Sequence, residues 1–169
     1  RGGCSNCGTA CAACEAGGTT SGNANVTQGP PVPLAEGESS PSDIDAPAAW
    51  DLSTGTNNVT LAVIDSGVQN HLDFTGRVLA GWNTVLNNTS VSDAECPPGT
   101  HCMGTATATG NNGLGVAGVH WAAKILPVKV LTGCGGNETD CGEGIAWAAD
   151  HGADVGTMSL QYYGGIQFF

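Results

Sequence analysis

The sequence predicts an α/β domain on a parallel sheet, preceded by an irregular arm. Three observations carry this. Apolar runs of strand length occur at residues 59–64, 77–82, 124–131 and 153–160. Helix signals lie between or before them, at 46–52, 100–109 and 141–151. Strands separated by helices close as right-handed crossovers, which make parallel sheets. The third observation is a contrast: residues 1–40 are rich in Gly, Ser, Thr, Asn and Pro and hold no period of 2 or 3.6. They read as a Cys-rich arm and linker, set against a domain at residues 41–169.

Each element has its own reason. In the arm, Pro30, Pro31 and Pro33 favour an extended polyproline-like stretch. Ala46 to Leu52 predicts a short helix, with Asp45 as N-cap and Pro47 in its first turn. VTLAVI (59–64) is nearly all apolar, the mark of a strand buried on both faces, and it ends at Asp65-Ser66-Gly67. RVLAGW (77–82) predicts a second strand. Small residues from Thr100 to Thr109 predict a helix. KILPVKVL (124–131) predicts a third strand in which Pro127 removes one ladder donor. Cys141 to His151 predicts a helix closed by Gly152, and Ala153 to Leu160 a fourth strand.

Composition narrows the function classes. Four Lys or Arg against fifteen Asp or Glu give a net charge of −11. So few cations exclude binding to nucleic-acid backbones and to anionic membrane surfaces. No apolar run approaches the ~20 residues that span a bilayer. Eight Cys in an acidic, Lys-poor chain point to disulfides in an oxidising compartment. Sequons for N-glycosylation stand at Asn25, Asn58, Asn87, Asn88 and Asn137, which fits a secreted protein.

An acidic residue at the carboxyl end of a buried strand is where open α/β sheets place functional groups. AVIDSGV (62–68) resembles the aspartate motif of the subtilisin-like serine proteases. DAPAAWD (45–51), NHLDF (70–74), GTHCMGT (99–105), GVAGVHWAAKILPVKVL (115–131) and GIAWAADHGADVGTMSL (144–160) resemble further blocks of thermitase-type and proteinase-K-like members, in the family's order and spacing. The resemblance implies a subtilisin-like parallel sheet with strand order 2-3-1-4, of which the chain carries the N-terminal half. It also implies a Ser-His-Asp mechanism, in which Ser attacks, His takes its proton, and Asp orients and charges the His.

The departures are specific. Asp65 matches the family aspartate. The catalytic His position is Pro98, which cannot accept a proton, while His101 matches the family's second, structural His. Triad members act as a unit, so loss of the base removes most of the rate. The Ser motif and the oxyanion Asn find no match before Phe169, and Ser66 and Ser159 match neither role. Ser159-Leu160-Gln161-Tyr162 replaces the family's substrate-binding glycines with bulky side chains. The expectation is a catalytically inactive, secreted structural or assembly protein, completed by or polymerised with other chains. The alternative is part of a secreted serine endopeptidase.

The resemblance further implies a Ca²⁺ site from Asp73, Asn112 and the backbone oxygens of Thr109, Leu114 and Val116, an oxygen-only set that suits Ca²⁺. A solvated Asp beside a Gly/Asn turn is the plainer reading. It implies a disulfide between Cys96 and Cys134, with Cys134–Cys141 as the local alternative, and matches Cys102 to a thiol beneath the catalytic His. Cys4, Cys7, Cys11 and Cys14 form C-x₂-C-x₃-C-x₂-C. That spacing can hold Zn²⁺ or an iron–sulfur cluster, but the compartment favours disulfides. The four Trp residues read as core or interface aromatics. His120 and Trp121 replace a small-polar turn of the family, and the sequence assigns them no role.

Overall fold

The computed structural model describes residues 44–92, 98–133 and 135–161. Four parallel strands form one sheet in the order β2-β3-β1-β4: β1 is Thr60–Asp65, β2 Trp82–Asn83, β3 Lys124–Lys129 and β4 Val155–Thr157. The order is the one that the family resemblance implies. Among the described residues three α-helices accompany it: α1 (Ala46–Leu52), α2 (Pro98–Thr107) and α3 (Glu138–Asp150).

Side-chain alternation along the strands makes two cores. Ala62, Ile64, Leu126, Val128 and Val130 face Cys141 and Ala148 of α3. Val63 and Ile125 face the other way, onto Val68, Phe74, Met103 and Ala108. β1 and β3 are therefore covered on both sides, which is why their sequences run apolar without a break. β4 is different. Among the described residues it pairs only with β1, and it is half-exposed at Val155.

Four sequence expectations need correction. The second strand is much shorter than 77–82. Val78 bridges Ile125 and Trp82 pairs with Val128, so four residue steps oppose three and the segment bulges between them. The cause sits in β3: Ile125 N donates to Arg77 O, so by alternation the missing N–H of Pro127 faces the same side. The fourth strand shrinks from 153–160 to Val155–Thr157. Asp45 takes a left-handed conformation (φ 50°) and does not cap α1 through its side chain. Finally, α3 begins a turn before Cys141. Asn137 caps it, with its side-chain oxygen accepting from Asp140 N at 2.8 Å.

Candidate functional site

β1 ends by delivering Asp65 to the carboxyl edge of the sheet, where it is 1 % exposed. Its Oδ1 accepts from Ser66 N at 2.7 Å, and its carbonyl accepts from Val130 N at 2.8 Å. The chain then turns sharply at Gly67 (φ 115°), where a side chain would collide with Val91 O. Helix α2 begins against this turn. A Cβ on Gly99 would stand 2.0 Å from Gly67 O, so strand end and helix start meet backbone to backbone. Gly99 N, one of the orphan donors of the first helical turn, donates to Ser66 Oγ at 3.2 Å. Thr100 Oγ1 accepts from Gln69 N at 2.9 Å. Lys129 donates from Nζ to Ser66 O and to Ser92 O, tying β3 to the same turn.

These contacts bring Asp65 and the start of α2 together across more than thirty residues of sequence, as the motif order implied. Helix α2 begins at Pro98, the position that the resemblance matches to the family's catalytic His. A pyrrolidine ring has no proton acceptor, and its missing N–H is harmless at a helix start. His101 is exposed on α2 and lines a cavity of about 380 Å³ with His71, Asp73, Phe74 and Val116; Asp65 is not among its lining residues. Ser159 and Gln161 are exposed beyond β4, and Tyr162 lies outside the described residues.

Asp73 is the second buried carboxylate, at 2 % exposure. Loop 109–118 wraps it: Asn112 Nδ2 donates to Oδ1 at 3.0 Å and Val116 N to Oδ2 at 3.1 Å. Its carbonyl accepts from Thr109 N, Thr109 Oγ1 and Arg77 Nη2. The residues of the expected Ca²⁺ set do gather here, but the atoms aimed at the carboxylate are N–H donors. An oxygen cage would require the Asn112 amide to turn, exchanging Nδ2 for Oδ1 and giving up the Oδ1 bond from Leu114 N at 3.0 Å. With that amide turned, Asp73, Asn112 and the carbonyls of Thr109, Leu114 and Val116 would offer oxygen alone, the donor type that suits Ca²⁺.

Arg77, which sequence reading left unassigned beyond its charge, is the polar hub of this region. Its two terminal nitrogens donate to Thr107 Oγ1, Ala123 O, Asp73 O, Thr107 O and Thr109 Oγ1 at 2.6–3.0 Å. Burial lowers its pKa and the nearby Asp73 charge opposes that shift. No sequence period marks such a residue; only its place at the start of a strand run and the scarcity of cations single it out.

Cys96 and Cys134 and the arm cysteines Cys4, Cys7, Cys11 and Cys14 lie outside the described residues, as does Asn25. Cys141 is buried as a thiol, so the local Cys134–Cys141 bridge is not formed here. Cys102 is half-buried in α2. Asn58, Asn87, Asn88 and Asn137 are exposed. Among the described residues no helix is long and apolar enough to cross a membrane.

Comparison with known proteins agrees with the geometry. The subtilase family model matches residues 56–167. Thermitase from Thermoactinomyces vulgaris is 43% identical over 122 residues, covering 71% of this chain and 43% of the relative. An extracellular protease of Xanthomonas campestris is 35% identical over 128 residues, covering 60% of this chain and 22% of that protein. Among solved structures, a protease from Pseudoalteromonas arctica superposes with a TM-score of 0.61 at 35% identity, over 68% of this chain and 44% of that one. The chain thus spans less than half the length of these relatives. With the matched residues running from the lead into β1 to beyond β4, the chain belongs to the subtilase family and covers part of that family's catalytic domain.

Proposed function

We propose that this chain is the aspartate-bearing part of a secreted subtilisin-like domain that does not cleave peptides through the family triad, and that it serves as an assembly component. One observation carries the reading: α2 starts at Pro98, its Gly99 backbone lies against the Ser66–Gly67 turn, and the residue at the family's His position is therefore a proline, a residue type without a proton acceptor. An Asp without its base gives little rate. The half-exposed Val155 and Met158 beside β4, which pairs only with β1, support attachment of further polypeptide at that edge. That polypeptide is a complementing segment or a second copy.

The second reading is part of a working serine endopeptidase. It is favoured by the intact Asp65-Ser66-Gly67 turn and by the 43% identity to thermitase. A fluorophosphonate probe separates the two. Applied to the natural secreted gene product, it should leave the species containing this chain unlabelled. Labelling that competes with a peptide substrate would overturn the first reading. Restoring the base with Pro98→His should then produce labelling only if a Ser-bearing segment is already docked.

Three smaller proposals share the secreted setting. Ca²⁺ would be held by Asp73 and by Asn112 once its amide has turned, with the carbonyls of Thr109, Leu114 and Val116, and would pin loop 109–118. Calorimetric titration with Ca²⁺ after chelation tests it: no heat, and no change in melting temperature, would dismiss the ion. N-glycans on Asn58, Asn87, Asn88 or Asn137 predict a mass loss on enzymatic deglycosylation of the native material. Peptide mapping without reduction tests a Cys96–Cys134 disulfide and pairing among the arm cysteines.

A further inference from the structure

The chain contains one Asn-Gly pair, Asn112-Gly113, and it sits in the loop that wraps Asp73. Both residues are exposed. The backbone nitrogen that follows an asparagine can attack the side-chain amide carbon and close a five-membered ring. Glycine puts no Cβ in the way of that closure. Gly113 has φ 71°, and a Cβ built on it would meet nothing within 4 Å, so the attacking residue stands in open space. Asn58, Asn87, Asn88 and Asn137 are exposed too, but each precedes a residue that carries a Cβ.

The fold presents Asn112 for this reaction. Leu114 N donates to Asn112 Oδ1 at 3.0 Å, an Asx turn. The ring that this hydrogen bond closes runs from Oδ1 through Cγ, Cβ, Cα and the carbonyl carbon to Gly113 N and on to Leu114 N. Electrophile and nucleophile therefore lie within one small turn, and the side chain is folded back over its own following peptide. The same Leu114 N–H is bonded to the oxygen that gains negative charge when Cγ becomes tetrahedral, which is the task of an oxyanion donor. The leaving nitrogen, Nδ2, is the one that donates to Asp73 Oδ1 at 3.0 Å.

We infer that Asn112 is a self-modification site, at which the loop converts its own amide to a carboxylate and lets go of Asp73. Gly113 N bonds to Asn112 Cγ and gives up its proton. The Cγ–Nδ2 bond breaks, and the amide nitrogen leaves as ammonia with that proton. Water then opens the succinimide: attack at Cγ gives aspartate, and attack at the main-chain carbonyl gives isoaspartate. In both, the C–N bond at the attacked carbon breaks and Gly113 recovers its N–H, so one water is consumed for one ammonia released. In aspartate an oxygen takes the place of Nδ2, and acceptor faces acceptor at Asp73 Oδ1. In isoaspartate the backbone gains a methylene and the Asx turn is lost. Either way the buried Asp73 carboxylate keeps Val116 N and loses Asn112. A buried acceptor that loses its donor weakens the segment that supplied it.

Ageing the full chain at neutral pH and physiological temperature tests this, with a chelator present so that no divalent cation bridges the two carboxylates. Peptide mapping should show aspartate and isoaspartate accumulating at residue 112 faster than at any other asparagine. Hydroxylamine, which cleaves a chain at a succinimide, should cut the ageing protein between Asn112 and Gly113. Separated by its added charge, the converted species should show about tenfold less hydrogen-exchange protection over residues 109–118 than the unconverted chain. The directly made variant Asn112→Asp should show the same loss without ageing. Residue 112 that stays amidated in the folded chain, while urea-unfolded chain converts it, overturns the inference. So does a converted species whose loop keeps its protection.

Discussion

Arg77 shows how much one side chain can organise. Five acceptors from the Asp73 turn, the end of α2, Thr109 and the lead into β3 converge on its guanidinium. Replacing it by Met keeps the stem but removes the donors to Ala123 O, Thr107 O and Asp73 O together. Arg77→Met should lower the unfolding free energy by about 2 kcal/mol, with Arg77→Lys intermediate because an ammonium cannot fork. A urea melt checks both, and a loss within experimental error would show that the hub is dispensable. Gly99 is the second residue of this kind. Gly99→Ala puts a methyl 2.0 Å from Gly67 O, where both neighbours are backbone. It should cost about 1–3 kcal/mol by overpacking. The same melt tests it, and an unchanged midpoint would mean that α2 can back away from the Asp65 turn without penalty.

At the scale of elements, caps and bulges decide where helices and strands begin. Asn137 is both sequon and N-cap, and the sequence alone suggested only the first. Its side chain accepts from Asp140 N, while its Nδ2 donates to Asp140 Oδ2 at 2.6 Å. Asn137→Ala should destabilise α3 by about 1 kcal/mol, whereas Asn137→Ser or Asp should be nearly neutral. Equal losses for Ala and Ser in thermal unfolding would exclude the cap as the cause. β2 illustrates the opposite case, an element shortened by its partner. Pro127 sits in β3, yet its missing donor breaks the run at 77–82, because a ladder is a property of two strands.

For the whole molecule, the question is the edge. β4 pairs with β1 on one side, and Val155 and Met158 are about half-exposed there. A parallel edge with apolar side chains is a template for another chain. The purified chain should therefore sediment heavier than its monomer mass at micromolar concentration. Val155→Lys with Met158→Lys should return it to monomer, since edge charges oppose pairing. A wild-type chain that stays monomeric at all concentrations would argue against self-assembly and leave a complementing segment as the occupant of that edge.

The sequence by itself determined the fold class and, through its family blocks, the strand order. Those features are local: a buried parallel strand is written as an unbroken apolar run, and a motif is written as adjacent residues. Tertiary structure alone decided the rest. It placed Gly99 against Gly67, so that the start of α2 meets the turn after Asp65. It brought Asn112 and Val116 onto the Asp73 carboxylate, because which loop residues meet it depends on how the loop closes and not on residue type. It made Arg77 a hub and gave His120 its two backbone donors, Ala122 N and Ala123 N. A hydrogen bond needs two groups within about 3 Å, and only the folded chain brings together groups far apart in sequence.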